Sequence, residues 1–160
     1  ICTEYNRAKE LVAQVDQRPE VMLNAPWQDS WFVPGDRSYM VRLIEDAGGD
    51  YACRGVDSDQ SRPISTETAF VTASKADYWL SPGMATSLAE LRAMNPRFES
   101  IKPVRENHVF NNNARITPSG GSDFWESGAL YPDRTLKDMI RILHPELLPD
   151  HELFYFHQLK

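Results

Sequence analysis

The chain has 160 residues, of which 41% are hydrophobic and 25% are charged, a balance typical of one globular domain with a single core. Its formal net charge of −6, with basic residues scattered along the sequence, argues against a nucleic-acid-binding surface. No apolar run approaches the roughly 20 residues of a membrane span, which argues against direct membrane insertion, and Cys2 and Cys53 are too far apart for a Cys-x-x-Cys site.

The first predicted element is an amphipathic helix at the start of the chain, in which Ala8, Leu11, Val12 and Val15 recur at helical spacing. A short apolar strand follows at about residues 20–24. After it comes a run rich in aromatic residues, here called the aromatic segment (residues 24–36). Its proline and glycine residues predict a loop rather than a strand.

The aromatic segment contains Trp27, Trp31 and Phe32. It follows a predicted strand directly, and open α/β sheets bind their ligands at the carboxyl ends of strands. We therefore expect these three side chains to contact a ligand. The alternative is that they fold back as a lid on the core.

The rest of the chain alternates helices and strands. Ser65 and Ser87 favour helix starts, the Ser87 to Glu90 spacing is that of a capping box, and Gly48 favours a helix end. The predicted elements are helix 38–47, strand 51–54, helix 65–74, strand 78–80, helix 87–94, strand 108–110, helix 132–143 and strand 153–156. Polar loops are expected at 55–63 and 111–131. This alternation predicts an α/β fold, a three-layer α/β/α sandwich with a mainly parallel, Rossmann-like sheet of about five strands.

Polar residues follow the fourth predicted strand. Asn111, Asn112, Asn113 and Arg115 are expected at the same sheet edge as the aromatic segment. Asp123 lies in the next loop and is expected at that edge too, and Trp125 follows it. An arginine in such a loop is suited to binding carboxylates or phosphates. The alternatives are that the asparagines supply turn geometry and that Trp125 packs beneath the loop.

Six segments occur in an order and spacing typical of one family: Arg18-Pro19, the aromatic segment, residues 43–49, Ser65-Thr66-Glu67, residues 76–80 and residues 121–126. From about Tyr5 to Leu159 the chain resembles the C-terminal lobe of a periplasmic substrate-binding protein of the iron-chelate and cobalamin type. Residues 144–152 resemble the form found in Bacteroides-type members.

The resemblance implies one lobe of a class III, helical-backbone receptor that captures a metal chelate and delivers it to the permease of an ABC importer. It implies that residues 1–17 end the interlobe helix, that residues 18–160 form the C-terminal ligand-binding lobe, and that an N-terminal lobe precedes them. The expected location is the periplasm or the outer face of the inner membrane. The implied ligand is an iron siderophore, haem or a corrinoid, and no resident cofactor is expected.

The resemblance also implies roles for two acidic residues. By match, Asp123 touches the ligand and Glu67 pairs with arginines of the permease. A glutamate in the first turn of a helix is also explained by the helix dipole alone. Two departures disfavour cobalamin: residues 60–62 replace an expected tryptophan, and Ser127 replaces a basic residue.

Two other classes of function compete with transport. The run containing His144, Glu146, Asp150, His151 and Glu152 is a candidate metal cluster for a metallochaperone or an enzyme. It lacks the His-Glu-x-x-His spacing, and two prolines interrupt it, which favours a structural connection. No nucleophile motif supports catalysis. An adhesion or interaction domain that uses the aromatic segment is the second competitor.

Overall fold

The computed structural model describes all 160 residues. The strands are β1 (Glu20–Leu23), β2 (Pro26–Trp27), β3 (Ser30–Val33), β4 (Asp50–Tyr51), β5 (Arg62–Ser65), β6 (Tyr78–Leu80), β7 (Val109–Asn111) and β8 (His157–Gln158). The helices are α1 (Cys2–Val12), α2 (Tyr39–Asp46), α3 (Thr66–Lys75), α4 (Leu88–Met94), α5 (Lys102–Arg105), α6 (Asp123–Glu126) and α7 (Pro132–Leu143), with a 3₁₀ helix at Pro96–Ser100.

The main sheet has five strands in the order β4-β1-β6-β7-β8. The first four strands are parallel, and β8 pairs antiparallel with β7. In the centre of the sheet Met22 lies opposite Trp79, and both are fully buried. Parallel neighbours need crossover connections, which the helices supply. The prediction of an α/β fold with a mainly parallel sheet of about five strands is confirmed.

The helices cover both faces of this sheet. On one side α1 and α2 pack against α7, and on the other side α3 packs against α5 and the 3₁₀ helix packs against α4 and α5. The N-caps predicted for α3 and α4 are confirmed, because the Ser65 and Ser87 hydroxyls accept from the N–H groups of Thr68 and Glu90. Helix α1 ends at Val12, five residues before the predicted limit.

The prediction that the aromatic segment is a loop is wrong. Residues 26–33 form the β2–β3 hairpin, and β5 joins it to make a separate three-stranded antiparallel sheet. Pro34 does not prevent the strand because it follows the last paired residue, Val33. Strand β5 was not predicted either, and its first two residues lie in the stretch predicted as a polar loop.

The predicted strand at residues 153–156 is wrong as well. Its backbone N–H groups donate to the buried carboxylate of Asp138 in α7, at 3.0 Å from Phe154, 2.7 Å from Tyr155 and 3.2 Å from Phe156. These groups are therefore unavailable to a neighbouring strand, and pairing starts only at His157. His151 Nε2 lies 2.7 Å from the same carboxylate, which makes Asp138 the organising centre of the C-terminal segment.

We expect Asp138→Asn to lower the free energy of unfolding by about 2–4 kcal/mol, because it removes a buried charged acceptor shared by several donors. The measurement is urea unfolding followed by tryptophan fluorescence. The control is Asp150→Asn, which changes an exposed carboxylate and should shift stability by less than about 0.5 kcal/mol. Equal stability of the two variants would contradict this role for Asp138.

Candidate functional site

A depression of about 300 Å³ lies where three neighbouring strands of the main sheet end. Asn24 follows β1, Ser81 follows β6 and Asn112 follows β7. The depression is lined by Asn24, Ala25, Trp27, Phe32, Ser81, Gly83, Asn112 and Trp125. We call it the aromatic depression. It occupies the position at which open α/β sheets bind ligands.

Three aromatic side chains of the aromatic depression are exposed. Trp27 on β2 is 71% exposed and Trp125 in α6 is 63% exposed, and Phe32 on β3 is also exposed. Side chains of this size are normally buried against other apolar groups. Grouped exposed aromatics mark a surface that binds a ligand or a partner. The structure thus brings together four of the predicted site residues: Trp27, Phe32, Asn112 and Trp125.

Trp31 is not among them, and its prediction as a ligand contact is corrected. Its side chain is fully buried, and its Nε1–H donates to the Leu23 carbonyl at 2.9 Å. The ring packs against Trp79 at a centroid distance of 5.7 Å. Side chains alternate along a strand, so the burial of Trp31 turns its neighbour Phe32 outward.

Two residues of the aromatic depression hold an uncommon backbone conformation. Asn24 and Ser81 have φ values of 66° and 58°, in the left-handed region. Trp79 Nε1 donates to the Asn24 carbonyl at 2.7 Å, and Asn24 Nδ2 donates to the Phe32 carbonyl at 3.0 Å. Such conformations cost free energy and concentrate at functional sites. The sequence reasoning missed both residues, although each is a polar residue directly after a buried strand.

The three consecutive asparagines have different roles. Asn111 Nδ2 donates to the carbonyls of Gly83 and Ala85, at 3.1 and 2.8 Å. Asn113 Nδ2 donates to the Ala85 carbonyl at 3.3 Å, and its Oδ1 lies 2.6 Å from His157 Nε2. These two side chains fix the loop that follows β6, so the structural alternative holds for them.

Asn112 differs from its neighbours. It is 5% exposed and its Nδ2 has no hydrogen-bond partner within the protein. Ser81, on the adjacent strand end, is 7% exposed and its Oγ also has no protein partner. Buried polar atoms are rarely left unpaired, because each loses its hydrogen bonds to water. Two side-chain polar atoms that the fold does not pair therefore lie buried in the wall of the aromatic depression.

Arg115 and Asp123 lie outside the aromatic depression. Arg115 Nε is 3.5 Å from Asp123 Oδ2, and its guanidinium lies 4.1 Å from the centre of the Phe154 ring. Asp123 also accepts from Ser127 Oγ at 2.9 Å. Both side chains therefore have partners within the protein. Contact of either side chain with a ligand stays a prediction.

Glu67 lies on the surface at the start of α3. Its carboxylate forms a bidentate pair with Arg97, at 2.8 and 3.1 Å, and the Arg97 guanidinium lowers the pKa of that carboxyl. Arg97 also lies over the Phe70 ring at 4.2 Å. Thr66 Oγ1 donates to the Asp29 carbonyl at 2.8 Å, which ties the first turn of α3 to the β2–β3 hairpin. Glu67 thus lies beside the element that carries Trp27.

The histidines of the C-terminal run are used inside the fold. His144 is buried, with Nε2 at 2.9 Å from the Gly48 carbonyl, and His151 binds Asp138. The chain contains no group of three or more His, Cys, Asp or Glu side chains arranged to hold a metal ion.

A larger groove of about 910 Å³ lies beside β8, and it contains none of the predicted ligand contacts. No helix is both long enough and apolar enough to span a membrane.

Comparison with known structures supports this fold. TroA-like FepB from Veillonella parvula is 12% identical with a TM-score of 0.68, over 99% of this chain and 54% of that protein. The periplasmic heme-binding protein RhuT from Roseiflexus is 16% identical with a TM-score of 0.65, over 91% of this chain and 53% of that protein. IsdE of S. aureus, solved with heme, is 18% identical with a TM-score of 0.60, over 89% of this chain and 54% of that protein. The chain therefore spans about half the length of these proteins.

Comparison by sequence identifies the family. An uncharacterized lipoprotein from Methanocaldococcus jannaschii is 28% identical over 141 residues, which are 86% of this chain and 32% of that protein. Residues 1–115 match the family described as periplasmic binding protein. That match covers more than half of the chain, which belongs to the periplasmic binding protein family.

Proposed function

We propose that this chain is the C-terminal lobe of a receptor that captures a metal chelate, an iron siderophore, haem or a related compound, and passes it to the permease of an ABC importer. The lobe carries out no chemical reaction. The receptor acts outside the cytoplasm, in the periplasm or on the outer face of the inner membrane. The family and the lipoprotein relative support that location.

The observation that carries the proposal is the aromatic depression itself. Metal chelates of this kind are large and have extensive apolar surfaces. Covering one exposed aromatic side chain contributes about 1.5–3 kcal/mol to binding. Trp27, Phe32 and Trp125 are exposed together at this depression, so a chelate could cover more than one of them. Two of the structurally similar proteins bind heme by name, which agrees with this class of ligand.

Capture requires a second lobe that closes over the depression. We propose that α1 is the end of the helix that joins the lobes and that residues 18–160 form the ligand-binding lobe. Helix α1 is held firmly in place: Tyr5 donates to Asp46 at 2.6 Å, and Lys137 binds Glu4 at 3.1 Å. A helix anchored in this way transmits the orientation of one lobe to the other.

The first test is Trp27→Ala in the full-length receptor, titrated with haem, ferric siderophores and a corrinoid in a calorimeter. We expect the chelate that the wild type binds to bind at least about tenfold more weakly, because the variant loses one large apolar contact. The control Met94→Ala removes an exposed apolar side chain of α4 and should leave affinity unchanged. A wild-type receptor that binds none of these chelates would overturn the proposal and favour an adhesion or interaction domain.

We propose further that Glu67 docks the receptor on an arginine of the permease, exchanging its partner Arg97 for the arginine of the permease. Charge reversal by Glu67→Arg should leave chelate affinity unchanged and reduce uptake at least about fivefold, because complementary charges set orientation and encounter rate. The measurement is chelate uptake into cells or into vesicles that contain the transporter.

The control for docking is Asp50→Arg. It reverses a similarly paired carboxylate, 2.8 Å from Arg54, at the opposite end of the main sheet. This control should transport normally. Normal uptake by the Glu67→Arg receptor would contradict the docking role and leave the ligand-binding proposal standing.

A further inference from the structure

We infer that the receptor selects an electrically neutral chelate, of the ferric trihydroxamate class, over anionic chelates such as haem or a ferric tricatecholate. This inference rests on the proposed function and narrows its ligand. It comes from the absence of charge in the lining of the aromatic depression, from the unpaired polar atoms in its wall and from the pairing of Arg97 and Arg115.

The lining of the aromatic depression carries no charge. None of its eight residues is acidic or basic. An anionic group held there would lose its hydration without gaining a counter-charge, and that exchange is strongly unfavourable. A ligand with uncharged oxygen atoms and apolar surface meets no such penalty.

The unpaired polar atoms in the wall of the depression would suit a neutral acceptor if their side chains turned toward the ligand. Asn112 Nδ2 can only donate, and the Ser81 hydroxyl can donate or accept. Hydroxamate and amide carbonyl oxygens are acceptors of this kind. The aromatic rings of the same lining could cover the hydrocarbon arms of such a ligand.

Arg115 and Arg97 are already paired, so an anion could use either cation only by displacing a carboxylate. Arg115 is bound to Asp123 and stacked on Phe154, and Arg97 is bound to Glu67 and stacked on Phe70. The whole lobe has a net charge of −6, so its field also repels anions as they approach. Both effects disfavour the binding of an anionic ligand.

The experiment titrates the full-length receptor with three probes: a ferric trihydroxamate, a ferric tricatecholate and haem. We expect the dissociation constant of the neutral chelate to be at least tenfold lower than that of either anion. We also expect it to change by less than about twofold between about 20 and 300 mM NaCl, because screening does not affect the binding of an uncharged ligand.

A charge-gain variant tests the cause. Met84 directly follows Gly83, a residue of the lining, and is 90% exposed, so substitutions there should not disturb folding. Met84→Arg supplies the missing cation and should tighten tricatecholate binding at least threefold, while Met84→Gln, a neutral side chain of similar length, should not. The affinity for the trihydroxamate should stay the same in both variants.

The outcomes distinguish a failure of the neutral-ligand inference from a failure of the proposed chelate receptor. Tighter binding of haem or of the tricatecholate by the wild type would overturn the neutral-ligand inference and leave the chelate receptor in place. An equal response of the anion to both Met84 variants would also overturn it. Binding of none of the three probes would overturn the chelate receptor, and the inference with it.

Discussion

Two buried indole N–H groups hold the carboxyl end of β1, and the candidate site depends on them. Trp31 and Trp79 donate to the consecutive carbonyls of Leu23 and Asn24, at 2.9 and 2.7 Å. Trp31 belongs to the hairpin and Trp79 to the main sheet, so this contact fixes the hairpin over the strand ends. Two indoles bury a large apolar area, which makes the arrangement stable. Because Trp31 points inward, Phe32 faces outward, and the hairpin also carries the exposed Trp27.

The polar side of the same edge is organised by the asparagine run. Asn111 and Asn113 use their amides on the carbonyls of the loop after β6, and His157 holds Asn113 from the far side. The loop is therefore fixed before any ligand arrives, which lowers the entropy lost on binding. Asn112 and Ser81 remain unpaired between these supports. This frame holds in place the residues that carry the two unpaired atoms.

Local signals in the sequence were sufficient for the longer helices but not for the short helices α5 and α6 or for the pairing of short strands. The hydroxyls of Ser65 and Ser87 cap their helices as the spacing predicts, because a cap depends on residues three positions apart. The hairpin was missed because its third strand, β5, lies 29 residues after β3 and is itself atypical. A shift of a strand by one residue turns all of its side chains to the opposite face of the sheet. Which of Trp31 and Phe32 is buried could therefore be predicted only from the pairing register of that sheet. The pairing of residues 154–156 with Asp138 is a tertiary contact that no periodicity encodes.

The central claim is that a chelate lies on the exposed indoles and leaves the buried ones untouched. It is tested most directly by ¹⁹F NMR of the full-length receptor labelled with 5-fluorotryptophan, titrated with gallium(III) trihydroxamate as a diamagnetic probe. Single Trp→Phe variants assign the resonances of Trp27, Trp31, Trp79 and Trp125. The account predicts that the Trp27 and Trp125 resonances shift on saturation while those of Trp31 and Trp79 change little. Saturation of the receptor without a shift of Trp27 or Trp125 would contradict it.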